Sequence, residues 1–122
     1  MTADLTIGRL ARADDFRRAY REGARRATPL LVIHTRPNGL EAVRLGIVVS
    51  RRFGHAAARN RLRRRLREAV RARREMLGIG TDVVVVPKDA AAAASFAGLR
   101  AAVATALGAK EAPEAAPGGE RT

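Results

Sequence analysis

Eleven arginines and a single acid, Glu68, lie between residues 51 and 74, whereas the other 98 residues hold 13 basic and 11 acidic side chains. Guanidinium stays charged, forks onto two phosphate oxygens at once and stacks on bases, so the chemistry this segment offers is capture of a polyanion, nucleic acid above all. On a helical projection with Leu62 at zero, Leu66, Ala69, Val70 and Leu77 fall within an arc of about 100° that suits a buried stripe. Asn60, Arg63, Arg64, Arg67, Arg71 and Arg74 share a neighbouring sector that contains no acid. Arg59 and Arg73 project into the apolar arc and must reach past the edge of the sheet or snorkel out of it. A purely structural helix would interleave acids four residues from its arginines, because such pairs add a few tenths of a kcal/mol and like charges subtract as much. The plainer reading is a solvated face. A membrane-surface helix fits less well, since the apolar stripe is needed by the sheet and carries no Trp or Phe. The approach, Ser50-Arg51-Arg52-Phe53-Gly54-His55, sets two more arginines and a glycine beside helix N-terminal amides, which is a phosphate site by geometry and dipole.

Other chemistries find little support. The chain has no Cys, which removes disulfides, thiolate metal sites and thiol nucleophiles together. His34 and His55 lie in segments that do not obviously converge, no carboxylate cluster is able to hold two Mg²⁺ ions, and Asp14 and Asp15 read as helix-capping residues. Phe16 and Tyr20 stand four apart and share a helix face. No apolar window of about 18 residues exists and the N-terminus is charged, so neither a membrane span nor export is indicated and the chain reads as cytoplasmic. The net charge is +12 over 122 residues. Genome base composition can inflate arginine, so the distribution of charge carries the argument rather than its amount.

The elements that must position these groups follow from periodicity. Residues 13–23 read as a short helix that Gly23 stops. Leu30–Arg36 and Val43–Ser50 read as strands joined through Pro37-Asn38-Gly39 and are expected to pair antiparallel, with Gly46 either a bulge or a plain strand glycine. Nothing breaks a helix from about Ala56 to Met76. Val83–Val86 reads as a strand buried on both faces, and Ser95 caps a last helix from Phe96 to about Leu107. Residues 1–107 form one α+β domain, a small mixed β-sheet packed with helices, and residues 108–122 read as a disordered tail.

The segment SRRFGHAAARNRLRRRLREAVRARR resembles the protein subunit of bacterial ribonuclease P: strand, two basic residues, a short Gly-containing loop, then Arg59-Asn60-Arg61 followed by Arg63, Arg64 and Arg67 on one helix. RLARADDFRRAYREG resembles the family's first helix and DVVVVPKDAAAAASFAGLRAAVATAL its last strand and helix, so residues 9–107 are covered. The resemblance implies the order α-β-β-β-α-β-α, a ribosomal-protein-like two-layer sandwich with a left-handed β-α-β crossover. Periodicity supplies three of those four strands, and the fourth is expected within the 30–50 region.

The resemblance also implies an accessory RNA-binding role without protein catalytic residues: the RNA subunit, with bound Mg²⁺, hydrolyses the phosphodiester that releases the 5′ leader of precursor tRNA. By the family's pattern Arg51, Arg52, Arg59, Asn60, Arg61, Arg63, Arg64 and Arg67 contact the catalytic RNA. Phe16, Tyr20 and His34 match a cleft for the single-stranded leader. The implied partners are the catalytic RNA and precursor tRNA, with one protein per RNA, no protein partner and no membrane. His34 departs from the larger aromatic ring of the pattern, which weakens stacking there, and Val86-Pro87 departs from a basic residue after the strand. The alternatives are a ribosomal or generic structured-RNA-binding protein of the same fold and an independent protein nuclease.

Overall fold

Residues 7–108 are described by the computed structural model, and their elements run β1 (Ile7–Arg9), α1 (Ala13–Glu22), β2 (Ala24–Ala27), β3 (Leu31–Pro37), β4 (Val43–Ile47), α2 (Ala56–Arg71), β5 (Thr81–Pro87) and α3 (Phe96–Leu107). They build one mixed sheet in the order β1-β4-β5-β3-β2. β4 runs parallel to β1 and to β5, while β3 is antiparallel to both β5 and β2. The segment read as a disordered tail lies, apart from Gly108, outside the described residues.

Three expectations are corrected. β3 and β4 run in opposite directions but are not neighbours, because β5 lies between them. Four consecutive valines bury apolar surface on both faces of a strand, which suits the sheet centre, and Val83, Val84 and Val85 are fully buried. Residues 38–42 are long enough to step across two strand spacings, since each extended residue reaches about 3.3 Å and strands lie about 4.8 Å apart. The Gly80 backbone sits in the gap, accepting from Asn38 N at 2.7 Å and donating to Ala42 O at 3.1 Å. The fourth strand of the expected order is not in the 30–50 region: it is β2, directly after α1. Its Ala-Arg-Arg-Ala sequence is exposed throughout and has no β-branched residue, so it is a strand by virtue of pairing with β3. The long helix ends at Arg71, not Met76. The chain leaves helical geometry at Arg73 (φ −117°, ψ 27°), and a 3₁₀ turn at Arg74–Met76 carries Leu77 back into the core.

Alternation along β3, β4 and β5 divides the molecule. Leu31, Ile33, Val43, Leu45, Val83 and Val85 face Leu62, Leu66, Ala69 and Val70 of α2 and Leu99, Ala102, Val103 and Ala106 of α3. Each fully buried Val or Leu in this layer contributes about 1.5–3 kcal/mol of transfer free energy. Among the described residues the opposite face carries only α1, with Ala19 and Phe16 packed on Leu10, Val84, Val48 and Val86. Ser95 caps α3 as expected, its hydroxyl accepting from Gly98 N at 3.0 Å.

Polar contacts hang α1 on the sheet. Asp82, at 0% exposure, is gripped by both arms of Arg44, with Nε to Oδ1 and Nη2 to Oδ2 each 2.8 Å, and accepts from Asn38 Nδ2 at 2.9 Å. Arg36 adds a charge 3.6 Å away. Arg44 continues to Asp15 of α1 at 3.4 Å and Arg36 to Glu22 at 3.2 Å. Asp15 is therefore buried and ion-paired, whereas the N-cap position of α1 is Arg12, which makes no side-chain cap bond.

Gly46 is neither a bulge nor incidental. A Cβ built there would lie 2.5 Å from Phe16 Cε1, so the missing side chain is the seat of the Phe16 ring. Gly46→Ala is expected to displace that ring and destabilise the fold by about 1–3 kcal/mol, the usual range for overpacking. Thermal melting of the variant checks this; an unchanged melting temperature would show that the ring yields freely.

Candidate nucleic-acid interface

α2 begins where the backbone turns through Gly54 (φ 114°) into His55, whose Nδ1 accepts from Ala58 N at 3.2 Å. His55 is thus the N-cap, and one helix-terminal amide is already occupied by the chain itself. Beyond it, the buried stripe of Leu62, Leu66, Ala69 and Val70 fixes the rotation of the helix. Arg51, Arg61, Arg64 and Arg67 are left exposed, with side chains that make no hydrogen bond or ion pair within the described residues.

Of the other matched residues, Arg52, Asn60 and Arg63 are engaged. Arg63 donates to Asn60 Oδ1 at 2.6 Å, and both remain at the surface. Arg52 reaches Asp89 at 2.5 Å and Ser50 Oγ at 3.1 Å while lying 5.0 Å over the Phe53 ring. Arg59 and Arg73, which project into the apolar arc, are half-buried, each with a Nε that is buried without a hydrogen-bond partner. Arg65 donates to Ala94 O at 2.7 Å, so it ties α2 to the approach to α3. Arg51, Arg61, Arg64 and Arg67 therefore offer guanidinium charge without a competing carboxylate, the chemistry that phosphate requires.

The positive surface also extends where sequence reading did not look. A cavity of about 350 Å³ lies between β1 and α2, lined by Ile7, Gly8, Arg9, Leu45, Arg67 and Arg71. Arg9 joins the basic face because β1 pairs with β4 beside α2, a placement that a three-residue strand does not announce.

Phe16, Tyr20 and His34 come together on the opposite face of the sheet. Tyr20 of α1 and His34 of β3 meet edge to face, ring centroids 4.8 Å apart. Tyr20 is 43% exposed and His34 only 9%. Phe16 is half-buried over Gly46, in the same apolar patch as the half-buried Val48 and Val86. The rings of Phe16, Tyr20 and His34 thus lie beside an apolar patch on the α1 face of the sheet, a composition suited to stacking bases without sequence preference. Burial and the nearby charge of Arg25 hold the His34 imidazole below its ordinary pKa, and burial pushes the Tyr20 phenol up. His34 Nδ1 is buried and has no hydrogen-bond partner.

The family model described as Ribonuclease P matches residues 7–111. The chain belongs to the ribonuclease P protein family. The Thermotoga maritima ribonuclease P protein component is 41% identical over 80 residues, which cover 66% of this chain and 68% of that protein. The Alkaliphilus oremlandii component is 32% identical over 97 residues, covering 80% and 85%. The solved structure of the Thermotoga maritima protein superposes with a TM-score of 0.73 at 34% identity, covering 81% of this chain and 94% of that one. The Staphylococcus aureus protein does so with 0.72 at 27% identity, covering 81% and 91%. A ribonuclease P protein component is part of an endoribonuclease that has an RNA partner, and the α+β fold expected from the sequence is the fold of these ribonuclease P proteins.

Proposed function

We propose that this chain is the accessory subunit that binds the catalytic RNA through the arginine face of α2 and the 5′ leader of precursor tRNA in the groove beneath α1. The observation that carries the reading is the division of labour across the sheet. Unpaired arginines stand on one face and a Tyr20–His34 ring pair with an apolar floor on the other, so one protein can hold two RNA segments at once. Arg51, Arg52, Arg59, Asn60, Arg61, Arg63, Arg64 and Arg67 serve the first segment, and Phe16, Tyr20 and His34 the second.

Among the described residues no three His, Asp or Glu side chains converge to hold a metal ion. By this reading the Mg²⁺ and the hydrolysis belong to the RNA subunit, and the protein lowers the Mg²⁺ demand by screening phosphates. No helix among the described residues is long and apolar enough to cross a membrane, and the proposed place of work is the cytoplasm, one protein per RNA with no further protein partner.

The test is cleavage of a precursor tRNA by the cognate RNA subunit at low Mg²⁺, with and without this protein, beside a protein-only control. Stimulation that needs both components is the expected result. Tight, salt-sensitive RNA binding without stimulation would instead identify a generic RNA-binding protein of this fold, and cleavage by the protein alone would overturn the assignment of catalysis to RNA.

A further inference from the structure

We propose that Arg25, on the edge strand β2, is a phosphate clamp at the rim of the groove and grips the backbone of the leader beside the Tyr20–His34 ring pair. The inference rests on the leader-binding reading above and adds to it a residue outside the matched set.

Arg25 stands directly opposite His34 in the antiparallel β2–β3 register. Cross-strand partners project from the same face of a sheet, and His34 faces α1 through its contact with Tyr20, so Arg25 belongs to the groove face. β2 is the last strand of the sheet among the described residues, and Arg25 is exposed. Its side chain makes no hydrogen bond or ion pair within the described residues. The carboxylates nearest to this face are already committed, Glu22 to Arg36 and Asp15 to Arg44. An unpaired arginine therefore stands at the open edge of the sheet, its backbone one strand spacing, about 4.8 Å, from that of His34.

Rings with an adjacent cation are what single-stranded nucleic acid asks for: a π-face for the base and a charge for the phosphate. The imidazole of His34 offers a smaller ring than Phe or Tyr would, so stacking at this point is weak and a direct ionic contact from the neighbouring strand compensates for it. Guanidinium also suits an unstructured leader, since it can fork onto whichever phosphate oxygens the chain presents.

The experiment is equilibrium binding of the reconstituted holoenzyme to precursor tRNAs with short and long leaders and to mature tRNA, over a range of salt concentrations. Arg25→Ala is expected to lose about tenfold in affinity for the long-leader substrate, to leave mature tRNA unchanged, and to flatten the logarithmic salt dependence for the long-leader substrate by about one counterion. Arg25→Lys should recover most of the loss. Arg26→Ala provides the control, because its side chain, opposite Ile33, leaves the same strand from the other face; it should not alter leader discrimination. If the wild-type holoenzyme prefers long leaders and Arg25→Ala preserves that preference, the clamp is overturned while the leader-binding reading stands. If the wild type shows no preference for a leader, both fall. Equal losses for Arg25→Ala and Arg26→Ala would also overturn the clamp, since they would mean diffuse charge rather than a site.

Discussion

Replacing Arg64 and Arg67 together with alanine is expected to weaken binding to the catalytic RNA by about 100-fold or more and to flatten its salt dependence. Both side chains are exposed and unpaired, so nothing within the fold is lost with them. A charge-assisted hydrogen bond contributes about 1.5–3 kcal/mol, so two such contacts amount to at least about 3 kcal/mol, a little over two factors of ten. Each phosphate contact also releases about one counterion, so the slope of log K against log salt should fall by about two. Alanine is the better helix former, and removing like charges from one face relieves repulsion, so the melting temperature of the free protein should hold or rise. Arg65→Ala provides the contrast. Arg65 donates to Ala94 O, so its loss should lower stability and leave the salt slope nearly unchanged. An unchanged slope for the Arg64/Arg67 variant would remove α2 from the RNA contact.

What the sequence made legible was whatever repeats or punctuates. The α2 stripe, the β5 valines and the Ser95 cap each left a local signature that matches their place in the fold. Two features without local signatures stayed hidden. β2 is a strand only because β3 offers an edge, and Ala-Arg-Arg-Ala has no preference of its own to reveal it. The insertion of β5 between β3 and β4 is a non-local choice, made by the burial of Val83, Val84 and Val85 some 35 residues after the two strands it separates. The candidate site divides in the same way. The arginines of α2 are visible from spacing alone, whereas Arg9 and Arg25 enter only through strand register, which ties them to residues far along the chain. Asp82 carries no motif, and its neighbours Arg36, Asn38 and Arg44 come from two other segments.

Asp82→Asn is expected to be the most destabilising single polar substitution in the protein. Burial alone would raise the carboxyl pKa, but hydrogen bonds from Arg44 and Asn38 and the charges of Arg44 and Arg36 outweigh it and leave the pKa below the ordinary 3.8. Removing one partner of a buried ion pair costs about 3–5 kcal/mol because the other charge is left uncompensated. The lower end applies, about 3 kcal/mol, since Arg44 keeps Asp15 and some solvent. In a domain of this size that is a fall of more than about 10 °C in melting temperature.

The pH dependence has a definite sign. A carboxyl whose folded pKa is depressed contributes its stability above the unfolded value, near pH 4, and loses it as pH falls through the lower folded value. The gap between wild type and variant should therefore be full at neutral pH and narrow only in acid, below about pH 4; a gap that persists there would mean that packing, not charge, holds Asp82. Function should follow the same geometry. Arg44 and Arg36 link Asp82 to Asp15 and Glu22 of α1, so loosening the centre of this network loosens the helix that carries Phe16 and Tyr20. At a temperature where the variant is still folded, it should lose affinity for long leaders while retaining affinity for the RNA subunit, because the α2 stripe packs on the other face of the sheet.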